Sequence, residues 1–164
     1  MVSLRKLVDE IEETFVSLEF VRDRLPPRCK AVKYQDLKGK HRSAIFKGVD
    51  ALVVLIPKKG EDIGHFICLV PGQKSIEYFS SLGGTPEKEL EKLGEPLSIF
   101  RELLGKNYVT NTKALQSGKY NVNDCAVWVL LRCFLRKMKL REFQGLFSRA
   151  VNLQTSDEIA AIMG

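Results

Sequence analysis

Residues 121 to 137 read NVNDCAVWVLLRCFLRK. Six apolar residues in a row, Ala126 to Leu131, follow three residues of the helix-capping type, Asn121, Asn123 and Asp124. The pattern predicts a helix over 125–138 that is apolar nearly all round in its first half. Such a helix must sit in the centre of a domain, with the rest of the chain packed around it. The chain has 164 residues, enough for one domain with a sizeable core.

The remaining elements follow from periodicity and turn residues. Leu4, Leu7, Val8, Ile11, Phe15, Leu18 and Leu25 recur at helical spacing, which predicts a helix over 3–25 capped by Ser3 and ended by Pro26-Pro27. Residues 28–50 read as polar and irregular. ALVVLIP (51–57), HFICLVP (65–71) and SIEYFSSL (75–82) read as strands, the last two a hairpin with Pro71-Gly72 in the middle of a type II turn. Gly83-Gly84 ends the third strand, and Thr85-Pro86 looks like a helix cap and first turn. Short helices near 86–93 and 96–104, a strand near 108–115, and amphipathic helices at 140–151 and 156–163 complete the order. Helix, strands, then helices without linkers or repeats imply a single α+β domain, 1–164, with a mixed or antiparallel central sheet.

Several classes are excluded. No apolar run reaches the roughly 18 residues that cross a bilayer. The start, MVSLRKLVDEIEE, lacks the apolar centre of a signal peptide, so a soluble intracellular protein is expected. Cys29, Cys68, Cys125 and Cys133 form no CxxC pair and only two histidines exist, which leaves no zinc pattern. Without export, three of the four thiols are expected buried and reduced. The net charge of +6 is compatible with acidic partners such as nucleic acid. The cations are scattered, however, as Lys38, Lys40 and Arg42, as Lys58 and Lys59, and as Arg136, Lys137, Lys139 and Arg141.

Cys125 falls where the central helix should begin. A thiol there feels the positive end of the helix dipole, which favours its thiolate. A thiolate nucleophile also needs a base. His41 lies among cations in KGKHRS, where an imidazolium is disfavoured. His65 opens an apolar strand directly after the loop PKKGEDIG, at the mouth of the core. Each residue alone reads as structural. Together they form a Cys–His pair that can meet at the sheet edge.

Two stretches resemble one family in combination. GHFICLVPGQKSIEYFSSLGG is similar to the glycine, His, aromatic, strand, turn, strand segment of the adenain and ubiquitin-like-protein-specific cysteine proteases. NDCAVWVLLRCFLR resembles their nucleophile segment, and LREFQGLF the helix that follows in many viral members. The approach ALVVLIPKKGEDIGH is most similar to the adenovirus-type proteases that mature capsids. The resemblance covers about residues 50 to 150.

The resemblance implies a cysteine endopeptidase in which Cys125 attacks and His65 moves the proton. The family's acid, on the strand after the His, lands on Ser80, which as a neutral residue can only orient the imidazole. An Asn or Asp from the loops near 107–124 is the alternative for that role. The family's oxyanion glutamine falls on Gly118 or Lys119, leaving Gln116, Asn121 or Asn123 as side-chain donors beside the Cys125 backbone N–H. Ala126 replaces the family's glycine, and Phe66 its tryptophan. Viral members cut precursor proteins during particle assembly. The implied substrate is therefore a polypeptide, in a host cell, its nucleus or a virion. No cofactor is required, and stimulation by DNA or an activating peptide is compatible with the basic surface. A protease for a ubiquitin-like modifier, or a degenerate homologue that only binds a partner, remain the alternatives.

Overall fold

The computed structural model describes residues 17–58, 64–111, 113–115 and 122–148, the side chains of 122–124 and 148 excepted. In chain order these form α1 (Leu18–Arg24), β1 (Cys29–Lys33), a 3₁₀ turn (Tyr34–Leu37), α2 (Arg42–Ile45), β2 (Ala51–Pro57), β3 (Gly64–Pro71), β4 (Ile76–Phe79), α3 (Pro86–Leu93), α4 (Ser98–Leu104), β5 (Tyr108–Thr110), α5 (Val122–Phe134) and α6 (Leu140–Ser148).

The domain is α+β, and its five-stranded sheet is mixed, in the order β1-β2-β3-β4-β5. β1 runs parallel to β2, β2–β3–β4 are antiparallel, and β5 returns parallel to β4. Helices cover both faces. On one side Val53, Phe66, Cys68 and Phe79 pack against α5 and against Phe143 and Phe147 of α6. On the other, Val54, Ile67, Leu69 and Tyr78 pack against Leu90 and Leu93 of α3 and Phe100 of α4. β2 and β3 are thus covered twice, which is why ALVVLIP and HFICLVP are near-continuous apolar runs rather than alternating ones. α5 fills the centre of its layer: every residue from Cys125 to Cys133 is buried.

Several expected boundaries move. Among the described residues the first helix starts at Leu18, because Ser17 is extended (φ −90°, ψ 167°) and its hydroxyl accepts from Phe20 N–H; the earlier part of the predicted 3–25 helix and its Ser3 cap lie outside the described residues. The segment read as irregular holds β1, the 3₁₀ turn and α2. The alternation in CKAVK is too short and too polar to register, yet Ala31 and Val32 face opposite cores. The β3–β4 loop is not a type II turn centred on Pro71-Gly72. Pro71 stays in the ladder opposite Ile76, Gly72 N–H bonds Ser75 O, and Gly72 does not take the positive φ that such a turn requires. β4 and β5 are shorter than expected, and α5 starts three residues before Cys125 and ends at Phe134.

Candidate active site

His65 is the second residue of β3, and Gly64 before it sets its position. A Cβ on Gly64 would strike the Ile56 carbonyl oxygen and come within 2.7 Å of the Pro57 Cα. Only glycine lets β2 and β3 close there, with His65 opposite Ile56. Cys125 is the fourth residue of α5, at the end of its first turn. The His65 Nδ1 lies 3.0 Å from the Cys125 Sγ. Both residues are buried, His65 at 0 % exposure and Cys125 at 1 %. They meet at the end of the central strand of the sheet rather than on an edge strand.

The far side of the ring is held by two groups. The Ser80 Oγ is 2.9 Å from His65 Nε2, and the Glu89 Oε2 is 3.0 Å from the same nitrogen. The Ser80 hydroxyl donates to Glu89 Oε2 at 2.7 Å, and the Tyr78 hydroxyl donates to Glu89 Oε1 at 2.7 Å. The expectation that a neutral serine alone takes the acid's place is therefore corrected: a carboxylate is present, delivered by a helix across the β4–α3 loop. Ser80 bridges acid and imidazole. Asn111 fixes Ser80 from behind, accepting from its N–H at 3.0 Å and donating to its carbonyl at 2.6 Å and to that of Lys113 at 3.0 Å. Asn111 lies within the loops that offered an alternative orienting residue, but it bonds to the backbone of Ser80 and Lys113.

The doublet Gly83-Gly84 makes this delivery possible. Gly83 has φ +71°, and a Cβ there would sit 2.7 Å from the Ala114 nitrogen. A Cβ on Gly84 would sit 2.7 Å from Glu89 Cγ and 2.9 Å from its Cδ. Thr85 then caps α3 by accepting from Lys88 N–H, Pro86 occupies its first turn, and Glu89 sits near the helix N-terminus, where a carboxylate is favoured. Sequence reading missed Glu89, although a signal exists. Pro86, Glu89, Leu90 and Leu93 share one helix face at spacing i, i+3, i+4, i+7, and all four are buried. A glutamate on an apolar stripe needs a buried partner.

The hydrogen bonds fix the protonation pattern. The Ser80 hydroxyl proton is committed to the carboxylate, so its lone pairs receive the Leu82 N–H, 3.3 Å away, and the His65 Nε2–H. Nε2 carries a proton in either charge state, and Nδ1, facing the sulfur, is the nitrogen that gains or loses one. Burial works against a charge on His65, but the hydrogen bonds to the Cys125 sulfur and the Glu89 carboxylate, and their negative charges, outweigh it and push His65 up to about 9. Burial would also raise the Glu89 carboxyl, yet its bonds to His65, Ser80 and Tyr78 hold it below the usual range. Burial and the Glu89 charge push the Tyr78 phenol well above its ordinary value, so it stays a donor.

Other candidates lie elsewhere. His41 is exposed, caps α2 and bonds Ser43. Gln116 and Asn121 lie outside the described residues, and Asn123 is described only as helical backbone. Among the described residues no group of three or more His, Cys, Asp or Glu side chains could hold a metal ion. Among the same residues, no helix is long and apolar enough to cross a membrane.

No protein-family model matches the chain. Over 106 aligned residues it is 27 % identical to "Uncharacterized protein V9" of Sputnik virophage, a match that takes in 56 % of this chain and 59 % of that relative. The chain therefore spans less than two thirds of the length of the curated relative it matches.

Proposed function

We propose that the chain is a cysteine endopeptidase whose nucleophile is Cys125, whose acid–base is His65 and whose charge partner is Glu89, with Ser80 as the bridge that positions the ring. One observation carries the reading: Nδ1 of a buried histidine points at a buried helix-borne thiol across 3.0 Å, while its Nε2 is held by a carboxylate. A purely structural histidine needs no such arrangement on both nitrogens. In this reading Nδ1 takes the thiol proton, the thiolate adds to a peptide carbonyl, and the imidazolium protonates the departing amine. Nδ1 then takes a proton from water, which hydrolyses the thioester, and Glu89 stabilises the imidazolium formed in that step.

The neutral residue at the acid position was the feature favouring a binding domain without chemistry. Glu89 removes that support. The likeness to a virophage protein supports a viral or virus-derived source and, with the resemblance to capsid-maturing proteases, a precursor polypeptide as substrate. The test is reaction with sub-stoichiometric iodoacetamide followed by mass mapping, paired with a peptide-mixture cleavage assay. Cys125 should be alkylated before Cys29, Cys68 and Cys133, and His65→Ala should remove both that preference and cleavage. Preferential labelling of another cysteine overturns the reading. Turnover of a ubiquitin-like conjugate in place of extended peptides would instead select the modifier protease.

A further inference from the structure

The β3–β4 turn and α2 face each other across an open cleft of about 450 Å³. It lies at the end of the hairpin away from the catalytic pair: Pro71 and Ile76 close the ladder there, whereas His65 sits at the start of β3. His41, Arg42 and Lys47 line the cleft from α2 and its flanks, and Gln73 and Lys74 line it from the turn. Among the described residues that line it there is no Asp or Glu. Other cations of this surface are paired: Arg28 and Arg136 share Asp50, and Arg132 takes Glu77. The side chains of Lys47 and Lys74, by contrast, have neither a hydrogen bond nor an ion pair among the described residues.

Two of the lining groups are held in place by the fold. Arg42 Nε donates to the Leu103 carbonyl at 2.9 Å and its Nη2 to the Leu104 carbonyl at 2.8 Å. These bonds to the last carbonyls of α4 fix the guanidinium plane and leave Nη1 without a partner among the described residues. His41 Nδ1 accepts the Ser43 N–H at 3.2 Å, which places the ring N–H at Nε2. The cleft thus has two preset donors in its wall and two exposed ammonium groups on flexible stems at its lips. Donors fixed before binding lose little freedom when a ligand arrives.

An oxyanion is the ligand that such a set of donors recognises. Three permanent cations, Arg42, Lys47 and Lys74, call for more negative charge than one carboxylate carries. A nucleic-acid backbone is followed by a stripe of cations along a face. Here they converge from two short segments, 41–47 and 73–74, on one concave place, which favours a compact ligand. We propose that this cleft binds a small oligophosphate, a ligand of two or more linked phosphates, with Arg42 and His41 as fixed donors and Lys47 and Lys74 closing on its charge. The site is separate from Cys125 and does not depend on the proteolytic reading.

The test is calorimetric titration of the full chain with sodium tripolyphosphate and, separately, with ATP, at about 0.15 M salt, where scattered surface charges are largely screened. Saturable binding of one tripolyphosphate per chain is expected. Lys47→Glu combined with Lys74→Glu changes two exposed residues and should weaken binding by about tenfold or more, with the far-ultraviolet circular dichroism of the parent. The milder pair Lys47→Gln and Lys74→Gln should show a smaller loss in the same direction. Lys30→Glu combined with Lys137→Glu makes the same change of net charge at exposed positions outside the cleft, and should weaken binding by less than about twofold. ATP bound at least as tightly as tripolyphosphate identifies the ligand as a nucleotide, and ATP bound more weakly identifies the phosphate chain alone. No saturable binding at millimolar tripolyphosphate overturns the proposal. An equal loss in the two charge-reversed variants does so too, because overall charge and not the cleft then attracts the anion. Tighter binding of a single-stranded oligonucleotide, weakened alike in both variants, would replace the cleft with an extended nucleic-acid surface.

Discussion

β4 supports two buried carboxylate pairs, one on each face of the sheet. On the α5 face its own Glu77 receives Arg132 twice, Nε and Nη2 each at 2.8 Å. On the α3 face the neighbouring Tyr78 donates to Glu89, which pairs with His65. The first pair is closed. Arg132 is 1 % exposed, donates also to the Leu135 and Met138 carbonyls at 2.8 and 2.9 Å, and lies over the Phe143 ring. A guanidinium does not release a proton, so this pair can only hold the end of α5 to the sheet. The second pair has the same charges but ends in an imidazole with one nitrogen turned to a thiol. The same charges thus give a clamp in one place and, in the proposed reading, a proton-transfer device in the other; the difference lies in whether the cation can titrate.

The largest effect should come from removing the titrating member. His65→Ala is expected to reduce peptide turnover by roughly 10²–10⁴-fold, measured as kcat/KM, with the far-ultraviolet circular dichroism of the parent. Retention of more than about a tenth of the rate would mean that the pair is no catalytic device. Next, Arg132→Met should leave activity per folded molecule near that of the parent but cost about 3 kcal/mol, since it strands Glu77. The melting temperature should drop by roughly 10 °C. Pairing it with Glu77→Leu should recover part of that loss, because an apolar replacement of both partners leaves no unpaired charge.

Glu89→Gln separates the two pairs most sharply. It keeps the shape and removes the charge, so about a tenfold fall in kcat is expected together with a shifted pH profile. In the parent the active imidazolium persists until about 9, and activity should fall as pH rises through that value. Without the carboxylate that limb should move down toward the ordinary histidine range by roughly a unit or more. Stability should follow the same logic. The His65 contribution is complete below its ordinary value of 6.5 and disappears as pH rises through about 9, whereas the Glu89 contribution is complete above 4.5 and disappears on acidification through its lowered value. An unmoved upper limb in Glu89→Gln would count against the charge partnership. Ser80→Ala is the mildest change: the direct Glu89–His65 contact at 3.0 Å survives it, and a loss of less than about tenfold is expected, without the pH shift.

The parts of this arrangement that were legible in sequence are those written in local pattern. The run 126–131 announced a buried helix, and the apolar stretches at 51–57 and 65–71 announced strands, though not that both their faces are covered. His65 and Cys125 stood out because each is polar or reactive where an apolar element begins. Glu89 was hidden because glutamate is ordinary in the first turn of a helix, and only its position on the stripe with Leu90 and Leu93 marks it. The Asn111 brace was hidden for a different reason: its partners are backbone groups of Ser80 and Lys113, which no residue pattern encodes. β1 escaped because a five-residue edge strand with lysines at two positions carries too little alternation to separate from loop.

The order of the site residues along the chain has a kinetic consequence. His65 is contributed by a strand of the antiparallel centre, Glu89 arrives only after the chain has turned through the glycine doublet, and Cys125 follows the crossover that returns β5 parallel to β4. The hairpin β3–β4 is a local contact, but the thiol and the imidazole are 60 residues apart. Contacts between distant segments close late, because loop-closure entropy must be met before they contribute. In a refolding experiment the recovery of thiol reactivity should therefore lag behind the recovery of secondary structure, and a chain released before α5 has docked would carry a histidine and a carboxylate but no competent nucleophile.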